Sequence, residues 1–159
     1  MVNSYKTVTE IAAPPEVVRE KFLDFEALPT YSPNGYLKSI APTDPTKTIS
    51  TLQLGEKLHI VMTHITFDGL LVKNSPTCFA WQGGVPGLMK GVHSFRFEKS
   101  TTTAGGTTFT QEEVFTGPLS FIFGEGYVAN ALGIRENSCK GWVPWNEDLK
   151  RWCEGKTGE

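Results

Sequence analysis

The sequence predicts an α+β fold: an antiparallel sheet with a short helix near its start and a longer helical region at its end. Three observations predict it. Residues 15–25 place apolar side chains at helical spacing, residues 36–116 switch to a period of two interrupted by turn residues, and the helical period returns from Leu119. At 159 residues the chain fits a single domain, placed at 1–154, followed by a flexible tail at 155–159.

The elements follow in order. Residues 3–11 read as a first strand through Tyr5, Val8 and Ile11, ended by Ala12-Ala13-Pro14-Pro15. Proline costs little in a first helical turn, whose amides are unpaired anyway, so a helix starts at Pro15 and carries Val18, Phe22 and Phe25 on one face. Pro29 breaks it, with one more turn over 26–31, and Pro33-Asn34-Gly35 is a turn. Strands are predicted at 36–40, 46–54, 57–63, 65–72 and 77–82, the third of these with Leu58, Ile60 and Met62 on one face. Gly83-Gly84-Val85-Pro86-Gly87 reads as a flexible loop. Residues 88–99 and 107–116 form the clearest hairpin. Beyond Pro118 the helical pattern is untidy: Leu119, Phe123, Tyr127, Ala131 and Ile134 or Arg135 approximate one stripe. Gly124, Gly126, Gly133 and Gly141 weaken it, and Pro144 kinks the last helix or starts a new one. Trp145, Leu149 and Trp152 or Cys153 then repeat at helical spacing.

Charge argues against nucleic acid as a partner. Lys and Arg number 15 against 17 Asp and Glu, for a net charge of -2, with no basic run. No apolar run reaches the ~20 residues of a membrane span. Cys78, Cys139 and Cys153 form no CxxC, which fits reduced thiols in the cytoplasm, with one disulfide plus a free thiol as the weaker alternative. His59 and His64 have no third ligand at sensible spacing, so no metal is expected.

The hairpin carries the chemistry. One parity of its first strand is His93, Phe95, Phe97; one parity of its second is Phe109, Gln111, Glu113, Phe115. The aromatic faces must point inward together, which brings His93, Gln111 and Glu113 inside with four phenylalanines. His93 then lies opposite either Gln111 or Glu113. Three buried polar groups cost several kcal/mol unless hydrogen-bonded. Two readings satisfy that: an internal network that only rigidifies the sheet, or a partly hollow interior where these groups meet a ligand. In an apolar cavity the Glu113 carboxyl pKa rises, which makes His93 and Glu113 a proton donor–acceptor couple.

Five segments bear a family likeness. Pro86-Gly87-Leu88-Met89-Lys90-Gly91-Val92-His93-Ser94-Phe95, Phe79-Ala80-Trp81-Gln82-Gly83, and residues 105–117 from Gly105-Gly106-Thr107 to Gly117 resemble the START-like, polyketide cyclase/dehydrase (SRPBCC) superfamily, which includes the Bet v 1-like birch-pollen-allergen fold. Ile11-Ala12-Ala13-Pro14-Pro15-Glu16-Val17-Val18 resembles its strand-to-helix signature, and Asn146-Glu147-Asp148-Leu149-Lys150 the tail of its last helix. The resemblance spans nearly the whole chain. It implies a helix-grip fold: a seven-stranded antiparallel sheet wrapped around a long C-terminal helix with an internal cavity, where the pattern of the chain alone finds about six strands. Gly141 and Pro144 depart from the family's unbroken helix and would kink it away from the sheet, and residues 121–127 would form a looser lid.

The resemblance implies a hydrophobic small-molecule ligand and leaves the activity open. The first reading is an enzyme of specialised metabolism, a cyclase, dehydratase or isomerase working on a polyketide-like substrate without a cofactor. The alternative is a non-catalytic carrier of a hydrophobic metabolite or lipid. The candidate catalytic residues are His93 and Glu113 for proton transfer, with Gln111 or Tyr31 bonding a carbonyl or enolate. Tyr31 equally fits plain surface packing, and Trp81 on its short strand fits core better than ligand shelf. The candidate ligand-lining residues are Phe22, Phe67, Trp81, Phe95 and Phe97, with Phe109, Phe115, Phe123, Tyr127 and Trp145. Whether the protein forms a homodimer stays open.

Overall fold

In the computed structural model, which describes residues 3–124 and 126–156, β1 (Asn3–Ile11) buries Asn3, Tyr5, Thr9 and Ile11 and leaves Val8 in solvent. After it, α1 (Pro15–Leu23) starts on its proline and buries Val18 and Phe22, four residues apart on one face. A 3-10 turn over Phe25–Ala27 and a single helical turn, α2 (Leu28–Tyr31), lead to β2 (Leu37–Pro42). Four hairpin-connected strands follow β3 (Lys57–Met62): β4 (Thr66–Ser75), β5 (Cys78–Val85), β6 (Met89–Lys99) and β7 (Thr107–Thr116). The sheet is antiparallel and seven-stranded in the order β1-β7-β6-β5-β4-β3-β2. It wraps α4 (Ile134–Cys153), which a short α3 (Tyr127–Leu132) precedes. The helix-grip fold is thus present with its seven strands.

Three sequence expectations are corrected. Residues 46–54 are not a strand, although rich in β-branched residues through Thr46, Thr48, Ile49 and Thr51. Their polar groups bond locally instead: Thr46 donates its N–H and its hydroxyl to Asp44 Oδ1 at 2.9 and 2.6 Å, and Thr48 and Thr51 cap a 3-10 turn over Ile49–Thr51. The loop expected at 83–87 is mostly strand, since β5 runs to Val85. Gly84 permits this: at φ +135° it takes a conformation L side chains rarely adopt, and a Cβ there would lie 2.2 Å from Met89 O. The terminal helix breaks at Gly133, not at Gly141 or Pro144. Gly133 adopts a left-handed φ of 62° and ends α3, while α4 runs on through both later residues.

Pro144 removes the amide that would bond the Lys140 carbonyl. Tertiary contacts hold α4 in place nonetheless. Trp142, Trp145, Leu149 and Cys153 are buried, and Trp152 lies at the surface side of this stripe. Asn146 Nδ2 donates to Thr7 Oγ1 at 3.0 Å, and Glu154 Oε1 accepts from Ala12 N at 2.9 Å, tying the helix to β1 and the turn after it. Glu125 and residues 157–159, within the expected lid and tail, lie outside the described residues, as do the side chains of Ile134 and Arg135 from the expected stripe.

Phe22 is the hub of the main core. Its ring meets those of Phe25, Phe79, Phe95, Phe97, Phe109 and Trp145 at centroid distances of 4.6 to 6.3 Å. A smaller cluster joins Tyr5, Phe115 and Trp142. Between the two stand His93 and Gln111, 2% and 0% exposed.

Candidate functional site

The inner face of the sheet divides in two. Along β6, Phe95 and Phe97 belong to the filled core, whereas Met89, Gly91 and His93 border a cavity of about 610 Å³. Along β7 the division falls between Phe109 and Gln111 on one side and Glu113 and Phe115 on the other. Along α4, Trp145 and Leu149 are core, while Asn137, Ser138, Gly141 and Trp142 line the cavity. Phe67, Trp81 and Phe123 complete the apolar wall, and Tyr36, Met62 and Ile65 close it from the other end of the sheet.

Aromatic rings therefore plug half of the interior and leave half hollow. Among the expected ligand-lining residues, Phe67, Trp81, Phe115 and Phe123 border the hollow. Phe22, Phe95, Phe97, Phe109 and Trp145 do not: each packs against the others at core distances. Tyr127 is 89% exposed and faces away, because α3 buries only Ala129.

Strand register places His93 directly opposite Glu113. Gln111 pairs with Phe95, one step along the same face. Its amide nitrogen reaches diagonally to His93 Nε2 at 2.9 Å and across to the Tyr36 hydroxyl oxygen at 2.6 Å. Both amide protons are thus used, and Oε1 alone lacks a partner among the described residues. The reversed amide would orphan two N–H groups instead of one acceptor, so this orientation is the better satisfied. Accepting at Nε2 leaves the His93 proton on Nδ1.

That Nδ1 stands 3.9 Å from Glu113 Oε2, beyond hydrogen-bond length. The imidazole is stacked on Phe95 and flanked by Trp81 and Trp142. Burial depresses its pKa to about 3, so it is neutral at physiological pH. The Glu113 side chain keeps 26% exposure, toward the hollow it lines. Burial of its charged form pushes its pKa up to about 7. Diagonally across from it, Gly91 makes room: a Cβ there would come 3.3 Å from Glu113 Oε1. A neutral His93 exerts no pull on this carboxyl, so nothing opposes the rise. The site holds a carboxyl that gains and loses its proton near neutrality, in an apolar chamber.

Tyr31 is elsewhere. It stacks on Trp152 at 4.4 Å and lines a neighbouring groove of about 890 Å³ with Asn34, Lys140, Pro144 and Arg151. Tyr36, Thr63, His64, Asn137 and Gly141 border both spaces and form the wall between them. Tyr36 is the functional candidate that sequence reading missed. Its signal was there: counting back from Ile40 by twos puts Tyr36 on the inner face. An irregularity at Leu37/Ser39, which buries Leu37 as well, blurs that parity.

His59 Nδ1 pairs with Asp68 Oδ1 at 2.8 Å on the exposed side of the sheet. Among the described residues no group of three or more His, Cys, Asp or Glu side chains is arranged to hold a metal, and no helix is long and apolar enough to cross a membrane.

A family model described as polyketide cyclase / dehydrase and lipid transport matches residues 3–135. No curated protein matches the chain by sequence. Among solved structures, the hypothetical protein jhp0584 from Helicobacter pylori superposes with a TM-score of 0.63 at 14% identity, covering 96% of this chain and 88% of that one. The di-domain ARO/CYC StfQ from the steffimycin biosynthetic pathway superposes with a TM-score of 0.67 at 12% identity. There the match covers all of this chain and 53% of the other, so this chain spans about half of that protein. Ara h 8.0201 superposes at 0.59 and 13% identity, with 99% and 98% covered. At such identities these likenesses establish the shared fold.

Proposed function

The chain belongs to the polyketide cyclase / dehydrase and lipid transport family, and from that premise we propose that it is a cofactor-free enzyme whose cavity binds a hydrophobic, polyketide-like ketone and moves protons on it. The observation that carries this reading is Glu113: a carboxyl held near pKa 7 by burial, facing an apolar chamber, with unfilled space in front of it. A general acid–base works best with a pKa near the working pH, because both protonation states are then populated.

The chemistry common to cyclisation, dehydration and isomerisation is removal of a proton next to a carbonyl. The Glu113 carboxylate takes that proton, and the C–H electron pair becomes an enolate. In dehydration the protonated Glu113 then returns the proton to a β-hydroxyl. The C–O bond breaks, its electrons leave with the oxygen as water, and the enolate pair forms the new C=C bond. In isomerisation the same proton returns to the γ-carbon. Neutral His93, its Nδ1 3.9 Å from Glu113 Oε2, leaves the carboxyl free of a permanent ion pair. The apolar walls contribute by holding the reactive conformer.

We read residues 1–154 as one domain and place the protein in the cytoplasm, where Cys78 and Cys153 would remain thiols. The test is native mass spectrometry for a retained hydrophobic ligand, followed by turnover of that ligand or its synthetic analogue by wild type and by Glu113→Gln. Loss of at least about 100-fold in turnover with binding kept supports the enzyme. Binding without any turnover by wild type assigns the cavity to a carrier.

A further inference from the structure

Tyr36 stands where the filled core, the cavity and the outer groove meet. Its ring packs edge-on against Trp145 at 5.9 Å, and its neighbour across the gap is the backbone of α4, where a Cβ on Gly141 would come 3.3 Å from Tyr36 Cβ. The ring is therefore fixed in place. Its hydroxyl oxygen accepts a hydrogen bond from Gln111 Nε2 at 2.6 Å. Because the oxygen is the acceptor in that bond, the hydroxyl's own proton remains to be given, and no described residue takes it. Tyr36 lines the same cavity as Glu113 and His93. Its phenol pKa lies well above the usual value, through burial first and then the nearby Glu113 charge, so the proton stays on. Resting on the reading of the cavity as a ligand site, we infer that the Tyr36 hydroxyl is the donor that anchors a carbonyl or enolate oxygen of the ligand, selecting ketone-bearing molecules over hydrocarbons of equal shape.

The arrangement has a physical logic. A carbonyl oxygen bound by Tyr36 is held beside the carboxyl that removes the neighbouring proton. The developing enolate charge then meets a donor already aimed at it, and Gln111 supplies the fixed orientation. Among the tyrosines, Tyr31 was the candidate for this task from sequence, but it faces the outer groove.

The test uses two probes of matched shape, 2-acetylnaphthalene and 2-isopropenylnaphthalene, which differ by C=O against C=CH2. Affinities are measured for wild type and Tyr36→Phe at about pH 8.5, where Glu113 is ionised and accepts instead of donating. Wild type should prefer the ketone by roughly 3- to 10-fold. It should also shift the bound carbonyl stretch to lower frequency. Tyr36→Phe should abolish the preference, return the stretch toward its value in hydrocarbon solvent and leave the isopropenyl affinity unchanged. Equal affinities in wild type, or a preference and a shifted stretch that survive in Tyr36→Phe, overturn the inference while leaving the cavity reading intact. Failure of wild type to bind either probe overturns the cavity reading and the inference with it. Should Tyr36→Phe fold poorly, a fluorotyrosine at position 36, a stronger donor of nearly the same shape, should lower the bound carbonyl stretch further, and a stretch that does not respond overturns the inference.

Discussion

His93 Nδ1 stands 3.9 Å from Glu113 Oε2, directly across the β6–β7 pair, and burial moves their two pKa values in opposite directions. The histidine resists its proton and the glutamate keeps its own, so two ionisable groups share one chamber without forming a strong ion pair.

Their opposed shifts predict an unusual pH profile of stability. Glu113 rises from 4.5 to about 7 in the folded protein, so the folded state binds that proton more tightly and its contribution falls as pH climbs through this window. His93 falls from 6.5 to about 3, so the unfolded state binds its proton more tightly and its contribution is lost as pH drops through that window. Between roughly pH 4.5 and 6.5 the two slopes cancel. Chemical denaturation across this range should give a plateau for wild type. Glu113→Gln should instead lose about 3 kcal/mol on acidification across the same range, the worth of about two pKa units. A wild type as steep as the variant would contradict the assignment.

Much of this was legible in the sequence, for a physical reason. Alternation on a half-buried strand has a period of two, so the Phe95–Phe97 and Phe109–Phe115 parities fixed which polar groups had to come inside. The register, His93 opposite Glu113, was open because parity alone allows a shift of two. What could not be read was which rings would meet. Phe22 belongs to α1, and only the tertiary approach of that helix to β6 turns Phe95, Phe97 and Phe109 from cavity lining into core. Residues 46–54 misled because threonine favours strands and also caps its own backbone, and the second use prevails here. Gly133 carries the helix break because it alone among the residues at that joint takes a positive φ, while Pro144 is carried through by the buried face around it.

The division of the interior predicts a separation of effects. Phe22→Ala should cost about 3–5 kcal/mol in urea denaturation, as expected for removing a fully buried ring, and leave affinity for 2-acetylnaphthalene within about twofold if the variant is measured where it is folded. Phe67→Ala, at a half-buried position on the cavity wall, should cost less stability and weaken probe binding. Reversed rankings would mean that the hollow lies at the Phe22 end.

Gly133 supplies a check on the joint between α3 and α4. Gly133→Ala forces an L side chain into a left-handed conformation, at a cost of about 1–2 kcal/mol. Thermal unfolding should show that loss, while the Glu113 titration stays as in wild type, since Gly133 does not line the cavity.

Turnover, if present, should follow the state of Glu113. With the carboxylate as base, kcat/KM rises as pH passes through about 7, the pKa of the free site. His93 should contribute no ascending limb near 6.5, because it is already neutral there. A rate profile that titrates with a group near 6.5 and survives Glu113→Gln would assign the base elsewhere.

The decisive measurement is carbon-13 spectroscopy of glutamate carboxyl groups while pH and 2-acetylnaphthalene are varied, with Glu113→Gln assigning the resonance. One carboxyl should titrate near 7 in the free protein and shift saturably as the ketone binds. A Glu113 resonance that titrates with the ordinary carboxylates and ignores the ketone would mean that the hollow half of the grip holds no guest beside it.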